Sequence, residues 1–179
     1  MLHRPSPERP LPVPAGQQLD AKQQQQVRTL LRIMRHGSAV GNGTAKGALL
    51  ASEPGTGKTP MSITVANALG GNRPFRVLII VGQNYRHVWL NHILRWQSPA
   101  RHIISVEAGD VYDLSLQPNC WVIINYEILD RFEASIRRKE WDLLLLDEAH
   151  AAKNALAKRT FLFQCSSNKI FTSSTEVRD

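Results

Sequence analysis

The sequence predicts a three-layer α/β fold with a mainly parallel central sheet. Six short apolar runs are separated by helical stretches, namely GALLAS, RVLIIVG, HIISVE, CWVIINY, WDLLLLD and KIFTSS. These runs are apolar at successive positions rather than at alternate ones, which is typical of strands that are buried on both faces. The helical stretches between them supply the cover that both faces of such a sheet need.

Helical periodicity is clearest in two segments. The first begins at Leu19 and ends near Gly37, and its apolar stripe consists of Val27, Leu30, Leu31 and Met34. The segment GSAVGNG that follows is predicted to be a loop. The second stripe lies between the second and third strands and indicates a helix packed on the core; it consists of Tyr85, Val88, Trp89, His92, Ile93 and Trp96.

The chain is 179 residues long, which suits a single domain with a substantial core. Residues 1–16 carry prolines at positions 5, 7, 10, 12 and 14. Proline lacks a main-chain N–H donor and favours extended backbone, so this segment is predicted to be a disordered, proline-rich leader. Residues 17–179 are predicted to form the domain.

Charge and cysteine content limit the classes of protein that fit. The chain has 22 basic and 15 acidic residues, a net charge of +7, which favours a polyanionic partner such as nucleic acid but also suits many other proteins. Cys120 and Cys165 lie far apart in sequence, which indicates neither a disulfide framework nor a zinc site. No apolar run is long enough to span a membrane, so we expect an intracellular protein, in the cytoplasm or the nucleus.

A phosphate-binding turn is predicted in the segment SEPGTGKT, between the first strand and a helical stretch. The P-loop pattern G-x-x-x-x-G-K-[ST] is matched by Gly57, Lys58 and Thr59, whereas Ser52 stands at the position of its first glycine. In such a turn the N–H groups of Gly55, Gly57 and Lys58 converge on a phosphate. Lys58 also reaches the β and γ oxygens, and the Thr59 hydroxyl ligates Mg²⁺.

Two adjacent carboxylates end the fifth apolar run, WDLLLLDEAH. The carboxyl ends of parallel strands are where ligands bind in such sheets. Asp147 is therefore predicted to hold Mg²⁺, and Glu148 is predicted to orient and deprotonate an attacking water. The alternative is a solvated helix start, because acidic residues also suit helix N-termini.

Six ordered segments of the chain resemble the Swi/Snf-type ATPases, which belong to the superfamily-two helicases and DNA translocases. LDAKQ resembles the adenine-side motif of that family, GALLASEPGTGKT its motif I, and VLIIVGQNYRHVWLNHILRW its motif Ia. VIINYEIL resembles motif Ib, DEAHAAKN motif II, and IFTSSTEVRD motif III. In motif I of the family, the position of Ser52 is acidic, so the missing first glycine is a feature of the family.

The resemblance implies an N-terminal RecA-like, P-loop NTPase lobe that uses ATP and Mg²⁺. It implies nucleotide binding by Gln23, Gly55, Thr56, Gly57, Lys58 and Thr59. It implies Mg²⁺ binding by Thr59 and Asp147, and catalysis by Lys58, Asp147 and Glu148. The resemblance further implies double-stranded DNA as a partner, contacted by Gln83, Asn84, Asn125 and Tyr126, with coupling by His150 and Thr175.

Departures from the family pattern concern motifs Ia and III. Gln83 replaces a usual proline, His92 a usual glutamate, and Ser174 and Glu176 replace the glycine and proline of motif III. The sequence ends soon after motif III, whereas these motors use a second RecA-like lobe that supplies arginine fingers. We therefore expect the isolated lobe to turn over slowly and to need a second lobe in cis or in trans.

Two alternatives to a Swi/Snf-type motor stay open. One is a nucleotide-binding or DNA-binding module without turnover, which the altered motif III favours. The other is a lobe of a DEAH-type helicase or a restriction-type motor, against which the Lys153-Asn154 pair after DEAH speaks.

Overall fold

A six-stranded, all-parallel sheet lies at the centre of the protein in a computed structural model, which describes residues 9–40, 43–148 and 160–174. Its strands are Gly47–Ser52 (β3), Arg76–Val81 (β4), His102–Ser105 (β5), Cys120–Asn125 (β6), Leu143–Leu146 (β7) and Lys169–Ser174 (β8). They are arranged in the order β3-β8-β7-β4-β6-β5. All six predicted strands form, and the predicted α/β fold class is confirmed.

Four α-helices in the described part of the chain cover this sheet. They are Ala21–His36 (α1), Lys58–Gly70 (α2), Arg86–Trp96 (α3) and Leu129–Arg137 (α4). The central strands send alternate side chains to opposite faces, so Ile79 packs with α1, α2 and α3 whereas Ile80 packs with α4. Helices therefore lie on both faces of the sheet, as a three-layer architecture requires.

Helix α1 begins and is buried as its sequence indicates. Asp20 is the N-cap, and its side chain accepts a hydrogen bond from the Gln23 main-chain N–H while the Gln23 side chain accepts one from the Asp20 N–H. This capping box satisfies two donors that a helix start otherwise leaves unpaired. The buried residues of α1 are the predicted stripe of Val27, Leu30, Leu31 and Met34.

Two segments differ from the sequence-based predictions of local structure. The segment GSAVGNG is not simply a loop, because Ser38–Val40 (β1) and Gly43–Ala45 (β2) pair as an antiparallel hairpin. Strand β5 lies at an edge of the sheet and is only partly buried, because it pairs with β6 alone. Its outer side has no neighbouring strand to bury it.

Residues 9–16 also differ from the predicted disordered leader. Leu11 and Val13 pack against the core on the α1 side. The Pro12 carbonyl accepts a hydrogen bond from Asn67 Nδ2 at 3.3 Å. Prolines lack N–H donors, but their carbonyls and the apolar residues between them still allow the segment to dock. Residues 1–8 lie outside the described residues.

The α-helices in the described part of the chain have 9 to 16 residues. No helix there is long and apolar enough to cross a membrane.

Candidate nucleotide site

The turn predicted to bind phosphate lies between the end of β3 and the start of α2. Gly55 and Gly57 both have positive φ angles, of 80° and 84°, which residues with a Cβ adopt only with strain. Gly57 is the N-cap of α2, and no described side chain caps the start of this helix. The first main-chain N–H groups of α2 are therefore donors that an anion at the start of the helix could accept from.

Lys58 and Thr56 fold onto the turn itself. The Lys58 ammonium donates a hydrogen bond to the Glu53 carbonyl oxygen at 3.1 Å, and the Thr56 hydroxyl donates to the same oxygen at 2.8 Å. Thr59 follows as the second residue of α2, with a half-buried side chain. These two hydrogen bonds close the turn. Lys58 can reach an anion if its ammonium group gives up the Glu53 carbonyl oxygen and donates to the anion instead.

Gln23 joins α1 to this turn. Its Nε2 donates to the Thr56 carbonyl oxygen at 3.1 Å, across 33 residues of sequence. A Cβ added at Gly57 would lie 2.5 Å from the same Nε2, so a larger residue at position 57 would displace the Gln23 amide. The residue predicted to face the base is thereby placed beside the phosphate turn.

We expect Gly57→Ala to weaken ATP binding more than Gly55→Ala does. Both substitutions force alanine into positive φ, at a cost of about 1–2 kcal/mol in the free energy of unfolding. Only the Cβ at position 57 collides with Gln23, because a Cβ at position 55 has no atom within 4 Å. Denaturant unfolding and titration with a fluorescent ATP analogue measure the two effects separately. Equal losses of ATP affinity in the two variants would contradict this role of Gln23.

The two carboxylates follow β7 directly. Asp147 and Glu148 form a turn, and both side chains are partly buried. Glu148 has a φ of 49°, and in the described part of the chain no other non-glycine residue has a positive φ. Such backbone strain is concentrated at functional sites in proteins.

Hydrogen bonds from three elements hold Asp147. The Trp89 indole N–H, on α3, donates to Asp147 Oδ2 at 2.7 Å, and the Thr172 hydroxyl, on β8, donates to Oδ1. The Tyr126 hydroxyl donates to the Asp147 main-chain carbonyl at 3.0 Å. Burial and the nearby charges of Asp147 and Glu148 raise the pKa of Tyr126, so this hydroxyl keeps its proton. Asp147 is thus fixed by elements that are remote from it in sequence.

The turn and the carboxylates lie at one edge of the sheet. All six strands are parallel, so the ends of β3 and β7 point the same way, and β8 alone separates them. Strands lie about 4.8 Å apart, which places the two strand ends roughly 10 Å from each other. The structure therefore brings Lys58 and Thr59 to the same edge as Asp147 and Glu148.

The residues predicted to contact nucleic acid fall into two groups. Gln83 and Asn84 are exposed in a short 3₁₀ turn between β4 and α3. Asn125 and Tyr126 are each only 7% exposed, and contact of their side chains with a DNA strand stays a prediction. The 3₁₀ turn after β6 directs Tyr126 towards Asp147, and Asn125 Oδ1 is buried with no hydrogen-bond partner among the described residues.

Two predicted residues and two unpredicted contacts remain to be placed. The proposed coupling residues His150 and Thr175 lie outside the described residues. Sequence reasoning missed the contacts of Trp89 and Thr172 with Asp147. Trp89 was assigned to a core-packing stripe, which is correct since it is 1% exposed, but its indole N–H also needs a partner when buried.

Comparison with known proteins identifies the family of this chain. The family model of the SNF2-related domain matches residues 21–175. A SWI/SNF-related, matrix-associated, actin-dependent regulator of chromatin, subfamily A member 1, of Mus musculus is 27% identical over 73% of this chain. The RNA polymerase-associated protein RapA of Vibrio cholerae is 32% identical over 62% of this chain. These matches cover 14% and 12% of the two relatives, so the chain spans a small part of their length.

A solved structure supports the fold assignment. The SWI2/SNF2 ATPase core of Sulfolobus solfataricus, in complex with double-stranded DNA, superposes with a TM-score of 0.73 at 20% identity. The match covers 95% of this chain and 34% of the archaeal one. The family model spans most of the chain, and the described residues form the RecA-like sheet that this core shares. The chain therefore belongs to the SNF2-related domain family, and its described residues form a RecA-like α/β lobe.

Proposed function

We propose that the chain is the ATP-binding motor lobe of a DNA-dependent ATPase, which acts inside the cell as a translocase, remodeller or helicase-like protein. One observation carries this proposal. A glycine-containing phosphate turn and two adjacent carboxylates end strands that lie on either side of β8, at one edge of a parallel sheet. Ligands bind at the carboxyl ends of strands in sheets of this kind.

The residues present fit ATP and Mg²⁺. Thr59 offers a hydroxyl oxygen and Asp147 a carboxylate, which are the hard oxygen ligands that Mg²⁺ takes, together with water and phosphate. Trp89 and Thr172 each occupy one acceptor position on a different oxygen of Asp147. A carboxylate has about four such positions, so others remain on both oxygens for a metal or its water. When bound, Mg²⁺ neutralises charge that develops on the phosphates.

The side chains of the chain have distinct proposed tasks. Lys58 leaves the Glu53 carbonyl and pairs with the β and γ phosphate oxygens, assisted by the N–H groups of Gly55 and Gly57. Glu148 orients a water on the γ phosphorus and accepts its proton as the bond to the ADP oxygen breaks. Gln23 contacts the base, next to the turn that it already touches.

DNA is the proposed partner. Gln83 and Asn84 are exposed polar residues at the end of β4, at the same edge of the sheet as the nucleotide site. Amide side chains and main-chain N–H groups there suit phosphate contacts, which position a duplex without reading its sequence. Trp89 lies on α3, the helix that follows this turn, and its indole N–H donates a hydrogen bond to Asp147. This contact links the proposed DNA-binding turn to the proposed metal ligand.

We propose that residues 1–179 alone bind ATP weakly and hydrolyse it slowly. Lys58 is the one basic residue in the segment SEPGTGKT, whereas phosphoryl transfer is accelerated roughly 10³- to 10⁵-fold where an arginine finger adds a second cation. In this family such a finger is expected from a second RecA-like lobe, and so is half of the enclosure of the nucleotide.

ATP hydrolysis by residues 1–179, with and without double-stranded DNA, tests the proposed function. We expect slow turnover that DNA scarcely stimulates, and an increase when a second lobe is supplied in trans or by fusion. Glu148→Gln serves as the blank for contaminating ATPase. ATP binding without any Glu148-dependent turnover, even with a second lobe, would favour a nucleotide-binding module instead.

A further inference from the structure

A basic groove lies on the side of the domain where α1 and α2 end. Its volume is about 630 Å³, and it is bounded by residues 9–12, the second half of α1 and the last turn of α2. Its lining residues include five that carry or can carry a positive charge: Arg9, Arg28, Arg32, Arg35 and His36. This groove is not part of the nucleotide site described above.

Helix α1 supplies a row of three arginines to the groove. Arg28, Arg32 and Arg35 are four and three residues apart, so their side chains leave the helix on one face. The first and last arginines of the row are seven residues apart, which corresponds to about 10 Å at 1.5 Å per residue. One DNA strand carries a phosphate about every 3.4 Å along the helix axis, so such a row has the length of roughly three phosphates.

Hydrogen bonds hold the walls of the groove in place. Asn67 on α2 donates to the Pro12 carbonyl at 3.3 Å and to the Trp96 carbonyl at 2.7 Å. Arg28 Nη1 donates to the Arg9 carbonyl at 3.2 Å, and Arg35 Nη2 donates to the Ala68 carbonyl at 3.4 Å. Arg28 and Arg35 are thus oriented by main-chain oxygens, and each guanidinium has five N–H donors in all.

The groove has the charge and the composition of a site for phosphate. Among the described residues that line it there is no carboxylate, and there is no phenylalanine, tyrosine or tryptophan. Proteins that bind single strands stack the bases on aromatic rings, so this lining does not suit a single strand. Arginine forks pair with phosphate oxygens in a geometry that fits both partners.

We propose that this groove binds the phosphate backbone of a DNA duplex as a second contact, through Arg9, Arg32, Arg35 and His36. Helix α2 runs from Lys58 at the phosphate turn to the groove, and Ala68 is ten residues along it, or about 15 Å away. Gln83 and Asn84 lie at the opposite, carboxyl edge of the sheet. The second contact therefore lies away from the proposed motor path, and it rests on the proposed function in that DNA is the substrate.

The test measures binding of labelled duplexes of two unrelated sequences by fluorescence anisotropy, between about 0.05 and 0.2 M salt. We expect Arg32→Gln/Arg35→Gln to weaken binding of both duplexes roughly tenfold at 0.1 M salt. The slope of log K against log salt should fall by about 1.8, which is the value for two lost phosphate contacts. Arg95→Gln/Lys139→Gln is the matched control, since it removes the same charge from exposed residues elsewhere.

Folding is checked by thermal unfolding of each variant. Arg35 donates a hydrogen bond to α2. Arg32→Gln alone therefore provides a second variant, because Arg32 is exposed and makes no hydrogen bond to α2 in the described part of the chain. The slope for this variant should fall by about 0.9. Gln83→Ala/Asn84→Ala tests the proposed motor path independently. If it alone weakens binding, the groove proposal is wrong and the proposed function stands.

Three further results overturn the groove proposal. They are equal loss in the arginine variant and its matched control, absence of duplex binding by the wild type, and stronger binding of an acidic peptide than of duplex DNA. The last result would identify the groove as a site for an acidic protein segment. If the arginine variant loses affinity while the Gln83→Ala/Asn84→Ala variant does not, the groove stands and the proposed motor path fails.

Discussion

Lys58→Ala is expected to weaken ATP binding about 10- to 100-fold, which is the range for losing a charge-assisted hydrogen bond to phosphate. Glu148→Gln is expected to bind ATP as the wild type does but to hydrolyse it roughly 10²- to 10⁴-fold more slowly, because the amide cannot accept the proton of the attacking water. The two residues thus separate binding from chemistry. Calorimetric titration with ATP and Mg²⁺ measures the first effect, and single-turnover hydrolysis, in the presence of a second lobe, measures the other.

Matched controls exist for both substitutions. Lys46→Ala removes an exposed lysine before β3, at the opposite end of that strand from the phosphate turn, and Glu140→Gln neutralises an exposed carboxylate before β7. Both controls should bind and hydrolyse ATP as the wild type does. An equal loss of binding in the Lys58 and Glu148 variants would contradict the assigned roles.

Trp89→Phe and Thr172→Val are each expected to lower Mg²⁺-dependent hydrolysis about 10- to 100-fold, as loss of a partner to a metal-binding carboxylate typically does. Each substitution conserves most of the side-chain volume and removes one donor to Asp147. The Asp147 carboxylate would then lose one of the hydrogen bonds that orient it for the proposed metal. Raising the Mg²⁺ concentration should restore part of the rate, an effect that a simple loss of packing would not produce.

The domain offers controls of the same chemistry away from Asp147. Trp121→Phe removes an indole N–H that donates to Gln97 Oε1 at 3.1 Å. Thr64→Val removes a buried hydroxyl that donates to the Pro60 carbonyl at 2.9 Å. These variants should lose stability without a change in Mg²⁺ dependence. The same Mg²⁺ dependence in all four variants would show that Trp89 and Thr172 only pack.

The sheet and its covering helices were predictable because burial on both faces leaves a direct record in sequence. Runs such as LLLL in β7 are apolar at every position, since each face of the strand meets a helix layer. The hairpin of β1 and β2 leaves no such record, because its strands have three residues each. The docking of Leu11 was missed because the five prolines around it indicate extended backbone but say nothing about where that backbone packs.

The candidate site was predictable where a local motif defines it and not where distant elements meet. The turn with Gly57 and the acidic pair that begins at Asp147 are each contiguous in sequence. The bond between Thr172 and Asp147 joins neighbouring strands in a register that only pairing in the sheet defines. The inward direction of Tyr126 likewise depends on the 3₁₀ turn after β6, for which the sequence has no distinct signal.

The most direct test of a shared metal site is a double-mutant cycle on the Mg²⁺ dependence of ATP affinity. Thr59→Val and Asp147→Asn each remove one proposed oxygen ligand, and calorimetric titration with and without Mg²⁺ gives the metal-dependent part of the affinity. We expect each single variant to lose most of that part and the double variant to lose little more, because both residues act on one ion. Losses that add fully in the double variant would show that Thr59 and Asp147 do not share a metal, and would contradict the convergence of the phosphate turn and the carboxylates.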